Sequence, residues 1–231
     1  DWDTLWIDAI DRGTEDLHLI VTGPMTNLAV FARRHPRHFA QLRHITVMGG
    51  AVNYPGNTTP TAEWNFWVDP HAAQEVFART PVPITLCSLG VTEQMLLDPP
   101  RLDRLVEALG ETPIASALPE ITRFYFEFHE DVGEGYRAQL HDLLTVLIAL
   151  GRVDTAAAEA TIDVEAASEL MRGTVAADLR GMWEREPNAR VVTSADIPSA
   201  WALVDAAFSL HARFTAGDEQ LKAGYHLKAE E

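Results

Sequence analysis

The 231-residue chain carries 34 acidic and 18 basic residues, a formal charge of −16, and 47% hydrophobic content. Such a charge repels phosphate backbones and anionic lipid, so neither a nucleic-acid nor a membrane partner is expected. The length fits one α/β domain with a single sizeable core, residues 1–214, followed by a polar tail at 215–231.

Residues Asp1 to Asp11 read as an amphipathic helix with Trp2, Leu5, Trp6 and Ile10 near one face. A chain that opens in this way, without methionine, is expected to be preceded by further residues. Leu17 to Thr22 is a short apolar run closed by Gly23-Pro24, a strand and its turn. Thr26 is expected to cap the helix that follows, which ends near His35-Pro36. His44 to Met48 is the next strand, closed by Gly49-Gly50. Asp69 then serves as N-cap with Pro70 at the first helical position, Ala73 and Phe77 facing inward. Pro83 to Ser88 is a third strand. Its cysteine, Cys87, is the only one in the chain, which fits a reducing, cytoplasmic compartment and a packing role rather than a nucleophile.

Strand, helix, strand, helix, strand with short links predicts a mostly parallel sheet with flanking helices. In such sheets ligands bind beyond the carboxyl ends of the strands. Gly23 to Thr26, Gly49 to Asn65 and Leu89 to Thr92 all fall there. Beyond Pro99-Pro100 the pattern is helical: Leu102 to Leu109, Pro113 to about Glu130 with Tyr125 and His129 one turn apart, and a helix opened by His141-Asp142 that runs through Leu150. Thr161 to Ala166, Thr174 to Leu179 and Arg190 to Thr193 read as strands, and Ile197 to Phe214 as a last helix. No apolar stretch is long enough to span a bilayer, and no signal peptide is visible in these residues.

Two stretches carry chemistry. Asn57, Glu63 and Asn65 lie within one loop, and amides with a carboxylate offer the donors and acceptors that hold vicinal hydroxyls of a sugar. Glu63 between two asparagines favours sugar contact over a plain surface charge, whereas Trp64 reads as packing under its loop. His141-Asp142 pairs a residue able to deliver a proton near neutral pH with a ligand for a hard cation. From the dipeptide alone, Asp142 as a helix cap beside a surface His141 is the favoured reading by a wide margin. His35, His38 and His44 read as surface residues.

Taken in order, Thr22-Gly23-Pro24-Met25-Thr26-Asn27, Val47-Met48-Gly49-Gly50, Gly56-Asn57 with Ala62-Glu63-Trp64-Asn65, Val68-Asp69-Pro70 and Leu140-His141-Asp142 resemble the inosine/uridine-type nucleoside hydrolase family. The segment Ile162-Asp163-Val164-Glu165 through Leu170-Met171-Arg172-Gly173 resembles its C-terminal strand pair. The resemblance implies water-driven cleavage of the N-glycosidic bond of a small-molecule ribonucleoside, calcium as cofactor, and a homo-oligomer. It implies that Asn57, Glu63 and Asn65 grip the ribose hydroxyls, that Met48 lies against the sugar, that His141 protonates the leaving base, and that Tyr125 and His129 reach the base. For calcium it implies the Thr26 carbonyl and the Asp142 carboxylate.

Three departures qualify it. The family's opening Asp-x-Asp-x-Gly-x-Asp-Asp segment has no counterpart in these residues. Gly90 stands where the family has the aspartate of Leu-Asp-Val-Thr, and Leu143 stands where a proline follows His-Asp. With so few metal donors, the chain in isolation is expected to turn over poorly. Two alternatives remain open: a non-catalytic ribose or nucleoside binder, and a subunit completed by another chain.

Overall fold

The computed structural model describes residues 1–13, 17–215 and 217, so the polar tail expected at 215–231 lies almost wholly outside the described residues. In chain order the elements are α1 (Trp2–Arg12), β1 (His18–Val21), α2 (Thr26–Arg34), α3 (Pro36–Phe39) and β2 (His44–Met48). After a long loop come α4 (Trp64–Val68), α5 (Pro70–Arg79), β3 (Ile84–Cys87) and the single turn α6 (Leu89–Thr92). Then follow β4 (Leu96–Leu97), α7 (Pro99–Leu109), α8 (Pro113–Asp131), β5 (Ala138–Gln139) and α9 (His141–Ala149). The last are β6 (Thr155–Val164), β7 (Val175–Asp178), β8 (Ala189–Ala195) and α10 (Ile197–Thr215).

The described residues form two compact units, one from Asp1–Gln94 with His141–Asp196, the other from Met95–Leu140 with the chain from Ile197 onward. The first holds a sheet in the order β1-β2-β3-β8-β6-β7. β1, β2, β3 and β8 pair in parallel, and β6 pairs antiparallel with both β8 and β7. The second unit packs α7 against α8 and α10, beside the antiparallel pair β4–β5. The α/β class with a mostly parallel sheet is the one read from the sequence.

Local chemistry explains most element boundaries. Asp69, Asp98 and Thr112 each accept a backbone N–H from the first turn of α5, α7 and α8, and each is followed by proline at the start of its helix. Capping satisfies a donor that the helix cannot, and proline's missing N–H costs nothing there. Thr26 does not cap α2. Met25 occupies that position, and the Thr26 hydroxyl donates instead to Asp69 Oδ2 at 2.6 Å. β6 starts at Thr155, six residues earlier than expected. Its first half, Thr155-Ala-Ala-Ala-Glu-Ala160, has helical propensity, but pairing with β8 from Thr155↔Ala195 to Ala160↔Ala189 imposes the strand.

Alternation along β2 and β3 gives the sheet two unlike faces. Ile45, Val47, Ile84 and Leu86 enter a dry core with Leu28, Phe31, Phe66 and Phe77. The opposite face carries His18, His44, Thr46, Thr85 and Cys87, and α9 packs against β1 and β2. Burial pushes the Cys87 thiol up to about 12, in keeping with a packing role. His44 is half-buried rather than a surface residue, because parallel register seats it beside His18, rings 4.9 Å apart. Thr46 Oγ1 lies 2.8 Å from His18 Nε2, and Thr85 Oγ1 2.8 Å from His44 Nε2.

Burial holds both imidazoles below the ordinary value of 6.5, and for His44 the neighbouring His18 and Arg190 add to the effect. The unfolded chain therefore takes up these protons before the folded one does. The contribution to stability is complete above pH 6.5 and is lost as pH falls through the lowered folded values. Replacing both residues by glutamine is expected to flatten the decline of the urea midpoint between about pH 7 and pH 5. An undiminished decline in the double variant would exclude this pair as its source.

Candidate active site

Gly49 and Gly50 close β2 with positive φ values of 150° and 73°. A Cβ on Gly49 would lie 2.7 Å from the Phe66 ring and 2.8 Å from Glu63 Oε2, so only glycine lets α4 approach the strand end. The loop beyond folds back on itself. Gly56 N–H donates to the Pro60 carbonyl at 3.1 Å and Thr58 N–H to the Ala62 carbonyl at 3.2 Å. Thr174 then pins the turn, its hydroxyl donating to that of Thr61 at 2.8 Å.

Glu63 is 2% exposed and caps α4. Its Oε1 accepts the Asn65 N–H at 2.8 Å, and its Oε2 accepts the N–H of Gly50 at 2.9 Å and of Phe66 at 3.2 Å. Burial raises its carboxyl above the ordinary range. The three N–H groups pull it down, and the negative charge of Asp142 pushes it further up. Asn65 is 7% exposed, and its Nδ2 donates to the Met48 carbonyl at 3.2 Å and contacts the Met48 sulfur at 3.4 Å. That orientation turns the amide oxygen away from the strand end. Met48 is buried. The exposed Asn57 accepts from Trp64 N–H at 3.0 Å and from the Thr58 hydroxyl at 3.2 Å through Oδ1, leaving Nδ2 as its donor. Trp64 does not pack under the loop. It is 54% exposed and stacks on Trp67, because Glu63 and not the indole fills the space beneath.

His141 opens α9, and its Nδ1 lies 2.9 Å from Thr92 Oγ1 at the end of α6. Thr145 donates to the His141 carbonyl at 3.0 Å and fixes the first turn of α9. Asp142 stands on the solvent side of that turn, with its carboxyl raised by desolvation and no hydrogen bond or ion pair to it among the described residues.

Glu63, Asn65 and Met48 are thus joined in one cluster, with Asn57 tied to it through Trp64 and Asp142 felt electrostatically by Glu63. Thr26 is bonded to Asp69. Tyr125 and His129 belong to the second unit. There the His129 Nδ1 donates to the Tyr125 carbonyl at 2.8 Å, their rings are 4.4 Å apart, and the Tyr125 hydroxyl donates to the Gln139 carbonyl at 3.3 Å.

Calcium takes about 6–8 oxygen ligands. Among the described residues no group of three or more His, Cys, Asp or Glu could hold a metal ion. Glu63 is engaged by three backbone N–H groups. Thr26 is the first residue of α2, where carbonyls point into the helix and accept its hydrogen bonds. Asp142 is left as the one carboxylate of this group without such bonds, so among the described residues these donors do not compose a calcium shell.

The match to known proteins covers most of the chain. Residues 2–202 match the model of the inosine-uridine preferring nucleoside hydrolases. The chain belongs to this family. It is 34% identical over 193 residues to the pyrimidine-specific ribonucleoside hydrolase RihA of Salmonella arizonae and 35% identical over 188 residues to that of Shewanella woodyi. These alignments take in 83% and 81% of this chain but only 61% and 59% of those relatives. Among solved structures, the purine-preferring ribonucleoside hydrolase from Gardnerella vaginalis superposes with a TM-score of 0.78 at 26% identity, over 92% of this chain and 66% of that one. A plant nucleoside hydrolase, at 21% identity and a TM-score of 0.76, shares the fold over 90% of this chain and 66% of its own.

At Gly90, where the family has an aspartate, a Cβ would lie 3.2 Å from the exposed Tyr54 ring, a close contact that this side chain would have to ease. Nothing in the structure explains Leu143 in place of proline. Sequence reading passed over Thr92 as a partner of His141. The two are 49 residues apart, and only the retained threonine of the Leu-Gly-Val-Thr turn hinted at it.

Glu63→Gln keeps the size but sets an amide donor against backbone N–H groups. Equilibrium urea unfolding is expected to show a loss of about 1–3 kcal/mol, the cost of a buried donor left unsatisfied. A loss below a few tenths would mean the cap does not hold the loop.

Proposed function

We propose that the protein carrying this chain hydrolyses the N-glycosidic bond of ribonucleosides to ribose and free base. One observation supports this above the rest. The buried Glu63 of the amide-rich loop and the Asp142 of the His-Asp pair lie close enough for one charge to raise the other's carboxyl. Two stretches that family resemblance assigns to sugar and to leaving base therefore share an electrostatic neighbourhood.

In this reading the Asn65 amide oxygen, the remaining lone pair of Glu63 Oε1 and the Asn57 Nδ2 take the ribose hydroxyls, with Met48 against the sugar. Positive charge develops on the ribosyl ring in an oxocarbenium-like transition state. The buried carboxylate of Glu63 and the exposed one of Asp142 stabilise that charge, the buried one more than it would in water. His141 delivers a proton to the departing base, a step worth about 10²–10⁴-fold. Calcium, the family's cofactor, would find in Asp142 one carboxylate ligand, with its other donors supplied from outside the described residues. Those residues alone would then turn over poorly.

Similarity to pyrimidine-specific relatives makes uridine and cytidine the first substrates to test. A homo-oligomer in a reducing, cytoplasmic compartment completes the proposal. The single buried Cys87 fits such a compartment, and among the described residues no helix is long and apolar enough to cross a membrane.

The test is reducing-sugar release from uridine, cytidine and inosine with added calcium, by residues 1–231 and by the protein in its full reading frame. Ribose release by the latter, and little by the former, is expected. No release from any nucleoside by the full-frame protein would overturn the assignment. Brisk turnover by residues 1–231 would overturn the incomplete metal site. In the active form, His141→Gln is expected to lower kcat by about 10²–10⁴-fold, and Asn65→Ala to act mainly on KM.

A further inference from the structure

We propose that a cavity at the amino-terminal ends of the strands is a binding site for a small inorganic oxyanion of the sulfate or phosphate kind, held by Arg190 with His18 and His44, and that the anion is taken up together with a proton. The site is independent of nucleoside cleavage. It lies at the end of the sheet opposite the loop of Glu63.

The cavity measures about 260 Å³ and lies between the polar face of the sheet and the end of α9. Pockets for drug-sized organic ligands span about 300–1,000 Å³, so this one suits an ion with a few waters. Strand order sets its chemistry. His18 and His44 are Cα partners at the starts of β1 and β2, and Thr85 and Arg190 are partners on β3 and β8. Thr85 in turn lies against His44, Oγ1 to Nε2 at 2.8 Å, so side chains from four adjacent strands meet in one space. Each imidazole engages a threonine hydroxyl through Nε2 and keeps Nδ1 without a partner among the described residues. Arg190 is exposed and makes no ion pair among the described residues. Ile148, Val153 and Val192 supply apolar walls, which leave the polar groups facing one another across the space.

In a chain with 34 acidic and 18 basic residues, none of the described residues that line this cavity is Asp or Glu. The nearest carboxylate by register is Glu159, opposite Arg190 on β6, and it is exposed and outside the lining. Arg152 and Asp154, on either side of the lining Val153, are exposed and opposite in charge. α9 brings only Ile148 and Ala149. Three groups able to be cationic therefore share a space that holds no fixed negative charge. Burial holds both imidazoles below the ordinary value of 6.5, and His18 and Arg190 hold His44 lower still. An anion reverses that balance. It accepts from the guanidinium and from a protonated imidazole, both of whose nitrogens donate. The anion thus binds the protonated site better, and by reciprocity it raises the histidine pKa values. Affinity grows as pH falls through the raised values of the bound state. It levels off below the lowered values of the free state.

The probe is inorganic sulfate, whose charge is constant across the range, titrated into residues 1–231 by isothermal calorimetry at fixed ionic strength. Saturable binding is expected at about pH 5.5, with affinity falling by up to about tenfold per pH unit toward about pH 7.5. Inorganic phosphate should compete with it. Arg190→Gln is expected to weaken sulfate by about tenfold or more, and His18→Gln combined with His44→Gln to remove the pH dependence. If these variants fail to fold, proton NMR of the wild-type histidine rings still decides the matter. Sulfate should raise the titration midpoints of His18 and His44 and leave those of His35 and His38 in place. Absence of saturable binding at the lower pH overturns the proposal, as does equal affinity at both pH values. So do undiminished binding by folded Arg190→Gln, a pH dependence that survives in the folded double variant, and midpoints of His18 and His44 that sulfate does not move.

Discussion

Glu63 has two carboxylate oxygens, and three backbone N–H groups converge on them, from Gly50 at the end of β2 and from Asn65 and Phe66 in the first turn of α4. Burying a carboxylate is tolerated only when it is bonded this fully. The same bonds staple the long loop to the strand that precedes it. With that staple closed, Asn65 must reach back to Met48, and Gly49 can carry no side chain. The candidate sugar site is therefore a by-product of how one acid is desolvated.

The electrostatic result is a rim short of positive charge. Glu63 and Asp142 both have carboxyls raised by desolvation, and the charge of Asp142 raises that of Glu63 further. In the reaction proposed above, these two carboxylates would meet the positive charge of a ribosyl ring losing its base.

The sheet sorts its side chains before any of this chemistry arises. One face is dry core. The other holds a row of histidines and threonines under α9. The helix that covers this second face begins with His141, and α6, which follows β3 directly, supplies Thr92 to meet it. A strand end, a one-turn helix and the start of a distant helix thus assemble an oriented imidazole without any local sequence signature for it.

Periodicity, proline placement and capping residues made the α/β class, most strand positions and the starts of α5 and α8 legible from the sequence, since each depends on neighbours a few residues away. The loop of Asn57, Glu63 and Asn65 and the His-Asp pair stood out for the same reason. What could not be read was set by distant partners. Thr155 to Ala160 became strand because β8 runs beside it, against alanine's own preference. Trp64 came to the surface because Glu63 took the space below. His44 went half inside because His18 lies next to it in register. Thr26 gave its hydroxyl to Asp69, 43 residues on, instead of capping its helix. Residue types and short-range spacing determined which elements form and which side chains carry chemistry. Only the tertiary structure decided which oxygens remain available, because a hydrogen-bonding group's role depends on who else claims it, and those claimants come from across the fold.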